Sequence, residues 1–195
     1  MKKILTIIAC TITCFVYSQI SSKTETTQVH INYPVALVDY DDFKNLMLEV
    51  EEHRQSRLVS LETFLKMSTE TGTIILDTRS EFRYKRKYLK GAVHLSFTDF
   101  TQENLQKLIP DPNTRILIYC NNNFDGDQVD FASKMAIPNN ITQTQILNNR
   151  KPVMLALNIP TYINLYGYGY KNVYELNELV NINDKRIQFE GIVVK

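Results

Sequence analysis

Arg115-Ile116-Leu117-Ile118-Tyr119-Cys120 is the stretch on which the fold turns. Its first five residues run almost wholly apolar or aromatic with no turn-forming residue, the pattern of a short strand covered on both faces. Thr73-Ile74-Ile75-Leu76 repeats that pattern upstream and gives way to Asp77-Thr78-Arg79. Both strands end in polar or nucleophilic groups, and the carboxyl ends of the strands are where an open parallel sheet holds its ligands.

Outward from these strands the chain alternates strand and helix. Leu58-Val59 reads as a strand, Ser60 as a helix cap, and Leu61 to Met67 as a helix with Leu61, Phe64 and Leu65 facing inward. A strand is expected near Ala92 to Leu95, then a loop with Phe97 and Phe100, a helix near Gln102 to Leu108 and a Pro110-Asp111-Pro112-Asn113 turn. Beyond Cys120, Asn158 and Pro160 introduce a helix at Thr161 to Tyr166, and Asn172 to Leu176 forms a strand. The tail from Asn181 onward alternates weakly and is expected to supply an edge strand. Ahead of everything, Asp41 to Arg57 carries Phe43, Leu46, Met47 and Val50 on one helical face, with Asp41 or Asp42 as cap. This order of elements predicts an α/β fold with an open parallel sheet flanked by helices.

Four pieces of this pattern can be named. Ile74-Ile75-Leu76-Asp77-Thr78-Arg79, then Glu81-Phe82 with Tyr88-Leu89-Lys90-Gly91-Ala92-Val93-His94-Leu95, then Ile116 to Cys120, then Leu165 with Gly169 to Tyr174 stand in one order. In that order they resemble a rhodanese-like domain, from Ser60 to Leu176. The resemblance implies a sulfurtransferase in which Cys120 carries a persulfide. It also implies a binding loop of Asn121, Asn122, Asn123, Phe124, Asp125 and Gly126, whose amides, with the positive end of a following helix, lower the thiol pKa and hold anionic sulfur. Asp77 and Arg79 fall on the strand-end pair that braces this side of the domain. The implied partners are a sulfane-sulfur donor and a thiol or other nucleophilic acceptor, with no cofactor and no metal. The alternative is a catalytically weak or inactive rhodanese-like binding module that takes a peptide, a small ligand or an envelope protein.

The departures from the family pattern are specific. Asn123 stands where a glycine is usual and Asp125 where a basic residue is usual, so acid is expected beside the thiol, raising its pKa. Tyr88 occupies a place where histidine is common. The interval from Cys120 to Gly169 is too long for the family, which puts an insertion near residues 121–157, its middle a candidate lid. Arg150 or Lys151 could restore the missing cation from that insertion.

Other chemistries are weaker. A cysteine-loop phosphatase needs arginine six residues after its cysteine, where this chain has Gly126. His30, His53 and His94 are too dispersed for a zinc site, and Ala132 stands where a calcium loop needs glutamate. Tyr162, Tyr166, Tyr168, Tyr170 and Tyr174 lack interleaved cations and are expected to pack with exposed hydroxyl tips.

Twenty-two Lys and Arg against 21 Asp and Glu among 195 residues leave a net charge of +1, which indicates no nucleic-acid partner. Lys2 and Lys3 before the apolar run Ile4 to Tyr17, with Val16-Tyr17-Ser18 at its end, follow the order of a signal peptide over 1–18. The mature chain then begins at Gln19, with a flexible tether to residue 32, an amino-terminal helical extension over 33–57 and the rhodanese-like domain over 58–195. It is expected to be periplasmic or secreted, with no stable membrane span after cleavage. Cys10 and Cys14 leave with the signal, so Cys120 is the one mature thiol and no internal disulfide can form.

Overall fold

The computed structural model describes residues 33–136 and 153–194. The signal segment, the tether, Arg150, Lys151 and the middle of the insertion lie outside the described residues. The compact unit begins at Asp39, and residues 33–38 before it are irregular and exposed.

Strands β1 (Leu58–Val59), β2 (Thr73–Asp77), β4 (Val93–His94), β5 (Arg115–Tyr119) and β9 (Val173–Leu176) form one parallel sheet in the order β1-β9-β5-β2-β4. Within β5, Ile116 and Ile118 enter one core cluster and Leu117 and Tyr119 the other. That alternation is the two-residue period of a strand with both faces covered. One face packs α1 (Tyr40–Gln55), α4 (Gln102–Leu108) and α5 (Asn158–Gly167) through Val50, Leu105 and Tyr162. The other packs α2 (Leu61–Ser68) through Leu61 and Phe64, joined by Phe124, Phe131, Val180 and Ile187. Helix α3 (Glu81–Arg86) and the short strand β3 (Tyr88–Leu89) lie between β2 and β4 in the chain.

The structure revises several local expectations. Asp39, not Asp41 or Asp42, caps α1, its Oδ1 accepting the Asp41 and Asp42 amides at 2.9 and 3.0 Å. Asp41 and Asp42 instead sit in the first turn, where their negative charge is favourable beside the positive end of the helix dipole. On the apolar face of α1, Val50 is buried and Leu46 packs on the core, but Phe43 and Met47 remain 45% and 43% exposed. The hydroxyls of Tyr162, Tyr166, Tyr168 and Tyr170 are not free tips. Tyr162 donates to the Val173 carbonyl, Tyr168 to Phe100, Tyr170 to Ile109, and Tyr166 to the Glu49 carboxylate.

The tail does not extend the five-stranded sheet. Its β10 (Val180–Asn181) pairs in parallel with β6 (Phe124–Asp125), and β11 (Phe189–Glu190) runs antiparallel to β3. No helix follows Cys120 up to residue 136: a single 3-10 turn at Asn121–Asn123 leads straight into β6. The described ends of the insertion, β7 (Met135–Ala136) and β8 (Val153–Met154), pair antiparallel. Among the described residues, no helix is long and apolar enough to cross a membrane.

Candidate functional site

Cys120 leaves β5 in an extended conformation and is 1% exposed. The turn behind it is held by Asn123. Its Oδ1 accepts the Cys120 amide at 2.9 Å and the Asn158 Nδ2 at 3.1 Å, while its Nδ2 donates to the carbonyls of Leu176 at 2.7 Å and Glu178 at 3.2 Å. One side chain therefore ties the end of β5 to the end of β9 and the start of α5, taking up a main-chain amide that a ligand-binding loop would leave open. Burial pushes the Cys120 thiol up, against hydrogen bonds from the main chain of Leu157 and Asn121 that favour the thiolate. The shift is upward, contrary to the lowered value implied by the resemblance.

The acids of the loop are not the cause. Asp125 is exposed on β6 and accepts the Gly126 amide at 2.8 Å, and Gly126 turns with φ 93°. Asp127 pairs with Lys87 at 3.0 Å; burial opposes ionisation there, but the Asp130 amide and Lys87 carry the carboxyl below its ordinary value. Phe124 is buried in the second core cluster. Asn122 accepts the Lys134 amide at 2.9 Å and donates to Met154 Sδ at 2.7 Å, so it fastens the stem of the insertion to the turn.

Asp77 and Arg79 meet beneath this turn. The Arg79 guanidinium, 1% exposed, grips Asp77 through Nη2 at 2.7 Å and Nε at 3.0 Å. It also donates to the carbonyls of Lys87 at 2.6 Å and Asp130 at 3.1 Å, and lies 4.5 Å above the Phe131 ring. The Tyr119 hydroxyl donates to Asp77 Oδ2, the oxygen that Arg79 Nη2 also holds, and accepts the Leu89 amide. Burial, then the Asp77 charge, push the Tyr119 phenol far above its ordinary value, so it stays a donor.

A cleft of about 400 Å³ opens at the carboxyl ends of β2, β4 and β5. Thr78, Ser80, Arg83, Asn121, Lys134 and Leu157 line it. Neither Arg83 nor Lys134 has a salt-bridge partner among the described residues. Sequence reading did not single out either cation. Arg83 sits on a helix that reads as ordinary surface, and Lys134 reaches the cleft only because Asn122 anchors its amide.

The family described as Rhodanese-like domain matches residues 60–178. The chain belongs to the rhodanese-like domain family. No curated protein matches it. Among solved structures, the crystal structure of the BH2092 protein from Bacillus halodurans is similar, with 16% identity and a TM-score of 0.43 over 77% of this chain and 88% of that one. In this rhodanese-like domain the mostly parallel sheet flanked by helices is consistent with the family fold. Asn123 closes the turn after Cys120, and a short strand follows it where the resemblance implied a helix.

Proposed function

We propose that this rhodanese-like domain is a binding module for a small anionic group, carrying little or no sulfur turnover. One observation carries the reading: Arg83 and Lys134, without a salt bridge among the described residues, converge with Thr78 and Ser80 on a cleft whose nearest cysteine is buried. A guanidinium offers a planar fork to carboxylate, sulfate or phosphate oxygens, and the lysine adds a point charge. Both would act without a nucleophile.

Sulfur transfer through Cys120 is the second reading, favoured by the main-chain hydrogen bonds from Leu157 and Asn121 to the thiol. The thiolate would attack the sulfane sulfur of a donor and displace the rest of the donor as its anion, sulfite in the case of thiosulfate. The persulfide would then pass its outer sulfur to a thiolate acceptor. That route requires the turn at Asn121–Asn123 to open first.

Calorimetric titration with sulfate, thiosulfate and a dicarboxylate separates the readings when paired with intact mass after exposure to thiosulfate and polysulfide. The binding reading expects Arg83→Ala and Lys134→Ala each to weaken anion binding about tenfold or more, with no sulfur gained. A sulfur adduct that forms on the native chain, discharges to a thiol and vanishes in Cys120→Ser would replace the binding reading with the enzymatic one. We also propose that the module works in the periplasm or outside the cell, on the signal-like order of residues 1–18. A chain mass beginning at Gln19 in the envelope or medium is the expected result, and full-length protein confined to the cytoplasm would refute it.

A further inference from the structure

A second cleft, of about 280 Å³, lies on the other side of the Asn121–Asn123 turn, against the ends of β9 and α5. Its apolar wall is formed by Met154, Ile159 and Leu179, and its polar end by Asn158, Asn177 and Glu178. Asn158 is 8% exposed. Its Nδ2 is committed to Asn123, which fixes the orientation of the amide, and its Oδ1 is buried with no hydrogen-bond partner among the described residues. A buried acceptor left unmet costs free energy, which a donor entering from the cleft would recover with a local shift of the Asn158 side chain.

The charges around the cleft name the kind of donor. Arg54 also lines it but is held bidentately by Glu175, at 2.6 and 2.7 Å, so that pair is neutral toward a ligand. Arg186 is close enough to feel Glu178, yet Asp184 grips it through two nitrogens at 3.0 and 2.7 Å. Glu178 uses one oxygen, accepting the Leu61 amide at 2.7 Å, and forms no salt bridge among the described residues. The cleft therefore offers one uncompensated negative charge, one unmet buried carbonyl and an apolar wall.

We infer that this cleft binds an aliphatic primary ammonium group, its alkyl stem against Met154, Ile159 and Leu179 and its charged head shared by Asn158 and Glu178. An ammonium brings three donors and no acceptor, which matches an unmet carbonyl beside a carboxylate. A long alkyl stem lies on apolar surface while its head keeps polar partners. The same chemistry belongs to a free alkylamine and to a lysine side chain of another protein. The inference is independent of the anion cleft, from which the turn separates it.

The test uses the purified full chain at neutral pH, followed by amide NMR during titration with n-pentylamine and, separately, n-pentanol. Pentylamine should shift the signals of Asn158, Asn177 and Glu178, and pentanol should not. Glu178→Gln keeps an acceptor for the Leu61 amide but removes the charge, and should weaken pentylamine binding about tenfold or more. Asn158→Leu should do the same, although it also loosens Asn123, which is why the glutamine variant is decisive. A lysine-containing peptide that outcompetes pentylamine, and fails when norleucine replaces the lysine, assigns the site to a protein partner; pentylamine binding alone assigns it to a free amine. Equal shifts with pentanol, shifts confined to the anion cleft, or unchanged affinity in Glu178→Gln would each overturn the inference. Arg83→Ala should leave amine binding intact, so failure of the anion reading and failure of this one are distinguishable.

Discussion

Arg79 and Asp77 are both essentially withdrawn from water, which makes each dependent on the other. A buried ion pair contributes little net stability over an apolar pair of the same shape, but removing one partner strands the other charge. Asp77→Ala should therefore lower stability by about 3–5 kcal/mol, read as a fall in denaturant midpoint. Tyr119→Phe, which removes one donor from the same carboxylate, should cost about 1 kcal/mol. An unchanged midpoint in Asp77→Ala would show that the pair does not hold the strand ends together. The positions of these two residues were legible because a strand-end pair follows directly from the apolar run before it. The use of Asn123 was not. From sequence it registers only as a missing glycine, whereas its four hydrogen bonds reach residues 35 and more than 50 positions away.

Helix α1 was legible as an amphipathic element, and its link to α5 was not, because that link runs through a histidine. His53 Nδ1 meets the Tyr162 hydroxyl at 3.0 Å, and the imidazole sits edge-on to Tyr166 at 4.9 Å. Burial, then the charges of Arg57 and Lys171, hold the imidazole below its ordinary value of 6.5. The unfolded chain thus binds the His53 proton more tightly than the folded one, and linkage gives the sign. The His53 contribution is fully present above about pH 6.5 and is lost as pH falls from there through the folded-state value. Denaturant midpoints measured from about pH 7.5 down to about pH 5 should decline, and His53→Gln should flatten that decline. The histidine is only partly buried, so the expected effect is a slope and not a collapse. A decline that survives intact in His53→Gln would assign the pH dependence elsewhere.

At the scale of the whole molecule, the parallel sheet followed from the alternation of apolar runs and helices, but the tail's part in the core could not be read. Strands of two residues have no period to recognise, and β10 and β11 take their places only because β6 and β3 present unpaired edges. The family match ends at residue 178, yet Val180 and Ile187 are buried in the second core cluster and Phe189 packs against it, 5.5 Å from the Phe124 ring. After Cys120, where the resemblance implied a following helix, the chain covers this face with Phe124, Phe131 and the returning tail. Gly191 secures the return. With φ 129° its backbone passes so close to Arg86 that an added Cβ would lie 2.3 Å from the Arg86 carbonyl oxygen. A chain ending at Glu178 would lose Val180, Ile187 and Phe189 together, at about 1.5–3 kcal/mol for each side chain fully buried. That loss is comparable to the roughly 5–15 kcal/mol that holds an ordinary domain together. The truncated chain should therefore show no cooperative thermal transition, and Gly191→Ala in the full chain should lower the melting temperature without abolishing the transition. A chain ending at Glu178 that melts cooperatively at the temperature of the full chain would mean that the matched region carries its own core and the tail merely rests on it.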